Sequence, residues 1–192
     1  MTHLLALALC AAPALPPDVR PWHAAGHKGK GVKVAILDSG FRGYRDALGK
    51  VLPASVSVKS FRKDRDLEAR DSQHGILCAE IVHRLAPEAG LLFANWEPES
   101  PSSFLDAVEW ARKEGATVFS CSMIMPTWSD GEGGGPTHDR LKELLGKEAL
   151  FFASAGNTAL RHWGGPLAEG RDGWHLWKAG ESANPLRPNG SE

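Results

Sequence analysis

From Val32 to Ala153, short and nearly continuous apolar runs alternate with segments whose apolar residues recur at helical spacing. Strand-like runs fall at Val32–Asp38, Ser55–Phe61, Gly90–Trp96, Val118–Ser122 and Leu150–Ala153. Between them, helical period is expected over His74–Leu85, Phe104–Lys113 and from Pro136 or Thr137 to Leu145. Within His74–Leu85 the apolar stripe reads Ile76, Leu77, Ile81, Val82 and Leu85, with Pro87 ending the element. Strands that are apolar on both faces, separated by helices, predict an α/β domain: a parallel sheet flanked by helices on both faces, built from right-handed crossovers. The polar stretch from Arg62 to Gln73, alternating in charge sign, predicts a solvated surface connection. Beyond Arg161 the periodicity ends, and Trp163, Trp174 and Trp177 among glycines predict an irregular Trp/Gly-rich C-terminal segment.

In such sheets ligands gather at the carboxyl ends of the strands. Three segments reach that rim with chemistry-bearing residues. The first strand ends in Asp38-Ser39-Gly40, His74-Gly75 opens a helix, and the last strand runs into Ser154-Ala155-Gly156-Asn157. A buried carboxylate, an imidazole and a carboxamide are the acid, base and oxyanion donor of a serine hydrolase. Taken singly each has a plainer reading, as a cap, a surface histidine or a turn asparagine. Ser122 and Met123, ending the Val118 strand, are placed either along a substrate cleft or in core packing.

In this order the segments resemble the subtilisin-like serine peptidases, or subtilases. Gly29-Lys30-Gly31-Val32-Lys33-Val34-Ala35-Ile36-Leu37-Asp38-Ser39-Gly40 is similar to that family's acid motif, His74-Gly75 to the start of its base motif, and Ala155-Gly156-Asn157 to its oxyanion motif. Cys78 stands where some branches of the family also carry cysteine, and Ala107 to Ser122 looks like the helix and strand leading to the substrate edge. The resemblance implies a subtilisin-like fold, a polypeptide substrate or peptide ligand, Asp38, His74 and Asn157 as catalytic residues, and Ser122 and Met123 as substrate-binding ones. It implies no organic cofactor. Calcium is frequent in the family, and no residue here matches a calcium site.

The family's nucleophile motif, Gly-Thr-Ser-Met-Ala, does not occur. Gly180-Glu181-Ser182-Ala183-Asn184-Pro185 is a loose echo, one residue short and too early. Two expectations follow: an endopeptidase domain cut before its nucleophile and inactive as this chain stands, or a non-catalytic module binding a peptide or partner on the same fold. The domain layout is expected to be a leader over 1–14 followed by a single, incomplete peptidase-like domain over 15–192.

Several other classes are excluded or disfavoured. A net charge of −1 gives no electrostatic footprint for nucleic acid. Leu4 to Ala12 is too short to span a bilayer but, followed by Ala12-Pro13-Ala14, resembles a signal peptide, so a secreted or periplasmic location is expected. Gly26 to Gly31 precedes its strand, whereas a phosphate loop follows one. His23 and His27, four apart in a Gly-rich segment with no acid nearby, are not assigned a metal. Apart from Cys10 in the leader, the cysteines are Cys78 and Cys121, too few for a disulfide framework. Their apolar surroundings predict buried free thiols, with a mutual bridge as the alternative.

Overall fold

The computed structural model describes residues 15–16, 18–123, 125, 128, 133–156, 168–170 and 175–176. Five strands, β1 (Lys33–Leu37), β2 (Ser57–Phe61), β3 (Gly90–Trp96), β4 (Val118–Cys121) and β5 (Leu150–Ala153), form one sheet in the order β2-β3-β1-β4-β5. Every pairing is parallel. The helices are α1 (Arg20–Ala24), α2 (Tyr44–Ala47), α3 (His74–Leu85), α4 (Pro101–Lys113) and α5 (Pro136–Leu145). The α/β architecture predicted from alternation is the observed one.

Side chains of successive strand residues point to opposite faces, and the chain uses both. Ala35 and Leu37 join Leu92, Ala94, Phe119 and Cys121 in a core beneath α4, where Phe104, Ala107, Val108 and Ala111 are buried. Leu141 and Leu144 of α5 pack onto the same cluster. Val34 and Ile36 turn the other way, meeting Leu91, Phe93, Phe41, Ile76 and Ala79 beneath α3. Helices therefore cover both faces of the sheet, which is why β1 can be apolar at every position from Val34 to Leu37.

Four details differ from the sequence expectation. α4 starts at Pro101 rather than Phe104, because Ser100 caps it: its Oγ accepts a hydrogen bond from the Ser103 amide at 3.3 Å, with proline in the first turn. The segment before β1, to which no element was assigned, contains α1, and His23 within it places Nε2 2.9 Å from the Leu85 carbonyl at the far end of α3. On α3 only part of the expected stripe is covered. Ile76 and Ala79 are buried, whereas Leu77, Ile81 and Leu85, spaced four apart, remain exposed. The apolar residues occupy two adjacent stripes of the helix, and the sheet reaches one.

The fourth concerns the connection at 62–73, which is tied down as well as solvated. Leu67 is buried in the α3 core. Asn95, wholly buried at the end of β3, donates from Nδ2 to the Asp66 and Leu67 carbonyls at 3.0 and 3.2 Å. The Gly43 amide donates to Glu68 Oε2 at 2.8 Å, Arg45 pairs with Glu68, and the Arg42 amide donates to the Ser72 carbonyl at 3.1 Å. These bonds deliver His74 to a fixed place. Among the described residues no helix is long and apolar enough to cross a membrane.

The chain divides into two compact units, Met1–Gly156 and Asn157–Glu192. In the second, the described residues include an antiparallel bridge between Glu169 and His175, and the Ala168 amide donates to His175 Nδ1 at 3.1 Å. The expected leader and most of the Trp/Gly-rich segment lie outside the described residues.

Candidate active site

The strand order reverses direction around β1. The chain leaves β1 toward β2 and leaves β4 toward β5, so the adjacent carboxyl ends of β1 and β4 form the crevice where such sheets bind ligands. Register pairs Leu37 with Cys121, so the residues that follow, Asp38 and Ser122, lie side by side. Asp38 continues the even-numbered face of β1, after Val34 and Ile36, and so faces α3.

Asp38 is buried, and three groups hold it. Its own amide donates to the Ala94 carbonyl at 3.2 Å, its Oδ1 accepts from the Gly40 amide at 2.9 Å, and its Oδ2 lies 2.8 Å from His74 Nδ1. With one carboxylate oxygen bound to backbone and the other to the ring, the imidazole is fixed in orientation. The His74 side chain is 57% exposed. With Nδ1 committed to Asp38, Nε2 is the nitrogen left to take a proton.

The glycines following the acid and the base have a steric reason. A Cβ on Gly40 would sit 2.5 Å from Ser72 Oγ and 2.8 Å from the His74 amide nitrogen. One on Gly75 would sit 2.7 Å from the Phe41 ring, 2.9 Å from Asp38 Cβ and 2.9 Å from the Gly40 carbonyl. That carbonyl accepts from the Gly75 amide at 2.8 Å and, more weakly, from Ile76 at 3.3 Å. The Asp38 turn thus caps the first turn of α3, and only hydrogen at both α-carbons lets the two segments approach. The Ser72 hydroxyl accepts from the His74 amide at 3.2 Å.

Sequence reasoning missed one member of the site. Cys78, expected to be a buried thiol, is half-buried, one turn beyond His74 on the same side of α3. Its sulfur lies 3.8 Å from His74 Nδ1 and 3.5 Å from Ser122 Oγ. The spacing of four from His74 was the available signal, but apolar neighbours along the chain obscured it. Cys121 is buried as expected, and burial pushes its thiol up to about 11. Both thiols are free, so the alternative of a bridge between them does not hold.

Met123 packs half-buried against the α4 core with Met125 and Trp128, while Ser122 faces the rim. Gly156 takes a left-handed φ of +82°, turning the chain as it leaves β5. Asn157, the expected oxyanion donor, and Ser182 lie outside the described residues. The structure therefore brings together Asp38, His74, Cys78 and Ser122.

A buried carboxylate orienting a solvent-facing imidazole, at the switch point of a parallel α/β sheet, is an arrangement able to carry general acid–base chemistry. The model of the subtilase family matches residues 29–173, spanning both halves of this couple. The chain belongs to the subtilase family, and its domain is subtilisin-like. Solved structures that share the fold include the following two. A lanthipeptide protease is similar at 21% identity and a TM-score of 0.53, over 72% of this chain and 43% of that one. MycP1 with its N-terminal propeptide removed is similar at 22% identity and 0.50, over 73% of this chain and 48% of that one. This chain spans less than half the length of either. No curated protein sequence matches it.

Proposed function

We propose that this chain carries the acid–base part of a serine endopeptidase site acting on polypeptides, and that as it stands it hydrolyses little or nothing. The observation that carries this is the 2.8 Å contact between Asp38 Oδ2 and His74 Nδ1. In that geometry Asp38 holds the ring and stabilises the imidazolium formed when Nε2 takes a proton from a nucleophile. Asn157, directly after the Gly156 turn, is assigned to the developing oxyanion, and Ser122 with Met123 to the substrate edge, where an extended peptide adds as a strand. The chemistry is carried by side chains, without a cofactor. The leader-like N-terminus supports export to a secreted or periplasmic location.

What supports inactivity is the sequence: no Gly-Thr-Ser segment occurs in the 192 residues to supply the family's nucleophile to the couple. That same observation favours a second reading, in which the rim binds a peptide without cleaving it. A fluorophosphonate probe separates the readings from their rivals. Purified protein is expected to remain unlabelled, and labelling that vanishes in Ser182→Ala would overturn the assignment of an absent nucleophile. Equilibrium binding of a reduced, carboxymethylated polypeptide then reads the rim itself. Weaker binding in Ser122→Trp supports a peptide edge, and a silent probe together with no polypeptide binding overturns both readings.

A further inference from the structure

The mixed donor set at the rim has a use that acid–base chemistry does not require. Asp38, His74 and Cys78 each present one ligand atom, and the three atoms lie within 4.8 Å of one another. They come from two rigid elements, the end of β1 and the first two turns of α3, and the spacing of four puts His74 and Cys78 on one side of the helix. We propose that Asp38 Oδ2, His74 Nδ1 and Cys78 Sγ form a binding site for a divalent transition metal of the zinc class, which takes the base out of service when it binds.

Chemistry selects the ion. One thiolate, one imidazole and one carboxylate suit zinc, whereas calcium and magnesium prefer oxygen ligands throughout. Bond lengths of about 2.0–2.3 Å around tetrahedral zinc put its ligand atoms roughly 3.3–3.7 Å apart. The sulfur already stands 3.8 Å from Nδ1, and the nitrogen–oxygen pair, at 2.8 Å, has to open by about 0.5 Å or more to admit the ion. Ser122 Oγ, 3.5 Å from the sulfur, is placed to donate a hydrogen bond to the thiolate, the kind of outer partner that metal ligands keep. The exposed side of His74 gives the ion an entry path, and the fourth position is left to water.

Binding forms metal bonds to Oδ2, Nδ1 and Sγ and breaks the Asp38–His74 hydrogen bond. The thiol proton passes to solvent, and the ring proton moves from Nδ1 to Nε2. With Nε2 carrying hydrogen, His74 can no longer accept a proton from a nucleophile. This last consequence rests on the peptidase reading; the binding does not.

The test uses the full chain and cobalt(II), a spectroscopic substitute for zinc. Titration is expected to produce a near-ultraviolet thiolate-to-cobalt charge-transfer band that zinc abolishes by displacement. Cys78→Ser is expected to lack the band and His74→Ala to weaken binding about tenfold or more, while Cys121→Ser, whose thiol is buried, keeps it. A second measurement needs no variant. Zinc is expected to slow iodoacetamide labelling of Cys78 about tenfold, read by peptide mapping that resolves Cys10, Cys78 and Cys121 separately. A band that persists in Cys78→Ser, no band in the folded wild-type chain, or labelling of Cys78 indifferent to zinc overturns the proposal. None of these readouts involves hydrolysis, so failure here leaves the Asp38–His74 couple standing, and failure of the peptidase reading leaves the metal site standing.

Discussion

At the scale of single residues, the site depends as much on hydrogen atoms as on functional groups. Gly40 and Gly75 let a carboxylate turn and a helix start interlock, and the motifs Asp-Ser-Gly and His-Gly record that contact in the sequence. Gly75→Ala separates the two effects. In an ordinary helix interior alanine gains roughly 1 kcal/mol over glycine. Here the new methyl meets an aromatic ring at 2.7 Å and a carbonyl at 2.9 Å, both held by the core, so the clash should outweigh the propensity. A net loss of about 1–3 kcal/mol is expected, read as a lower urea midpoint; a raised midpoint would show that the Gly40 turn yields. Asp38 and His74 were legible because they sit at the ends of recognisable elements. Cys78 was not, since its surroundings along the chain are apolar while its neighbours in space, His74 and Ser122, come from an adjacent helical turn and a different strand.

At the scale of elements, most boundaries were readable and the misses have local causes. The central strands were found because both faces of the sheet are buried there, which leaves runs such as Leu91 to Ala94 without polar interruption. The start of α4 was set three residues late because apolar periodicity begins at Phe104, whereas the helix is nucleated by Ser100 and Pro101 before any core residue appears. Ser100→Ala should therefore destabilise the domain by about 1 kcal/mol through loss of the bond to the Ser103 amide. Ser100→Asp, which retains an acceptor at the same end of the helix, should recover most of it in thermal melts. If alanine and aspartate behave alike, the cap does not hold the helix. The two apolar stripes of α3 teach the complementary lesson: periodicity reveals that a helix has an apolar side, and not how much of that side is covered.

At the scale of the molecule, the sheet and α3 carry apolar surface in a specific place. Leu150 and Phe152 of β5 are 59% and 60% exposed. Their register partners on β4, Val118 and Ser120, alternate with Phe119 and Cys121, so both side chains leave the sheet on the face opposite the α4 core, the face that α3 covers further along. β5 is the last strand on its side among the described residues. An edge of this kind favours strand-to-strand association. The chain is expected to self-associate with rising concentration in sedimentation experiments, and Phe152→Lys to raise the concentration at which this begins; an unchanged profile would remove β5 from the contact. The sequence alone determined the alternation of strands and helices, the two-faced burial at the centre of the parallel sheet and the placing of Asp38 and His74 at the ends of their elements, because these depend on local periodicity and on residues next to one another along the chain. Only the tertiary structure decided that the Asp38 carboxylate meets His74 at 2.8 Å, that Cys78 and Ser122 join them, and that Leu77, Ile81 and Phe152 stay uncovered, because those facts depend on strand order, register and the angle of approach of one helix. Such quantities are fixed by packing between segments that the chain keeps far apart, and no window along the sequence contains both sides of the contact.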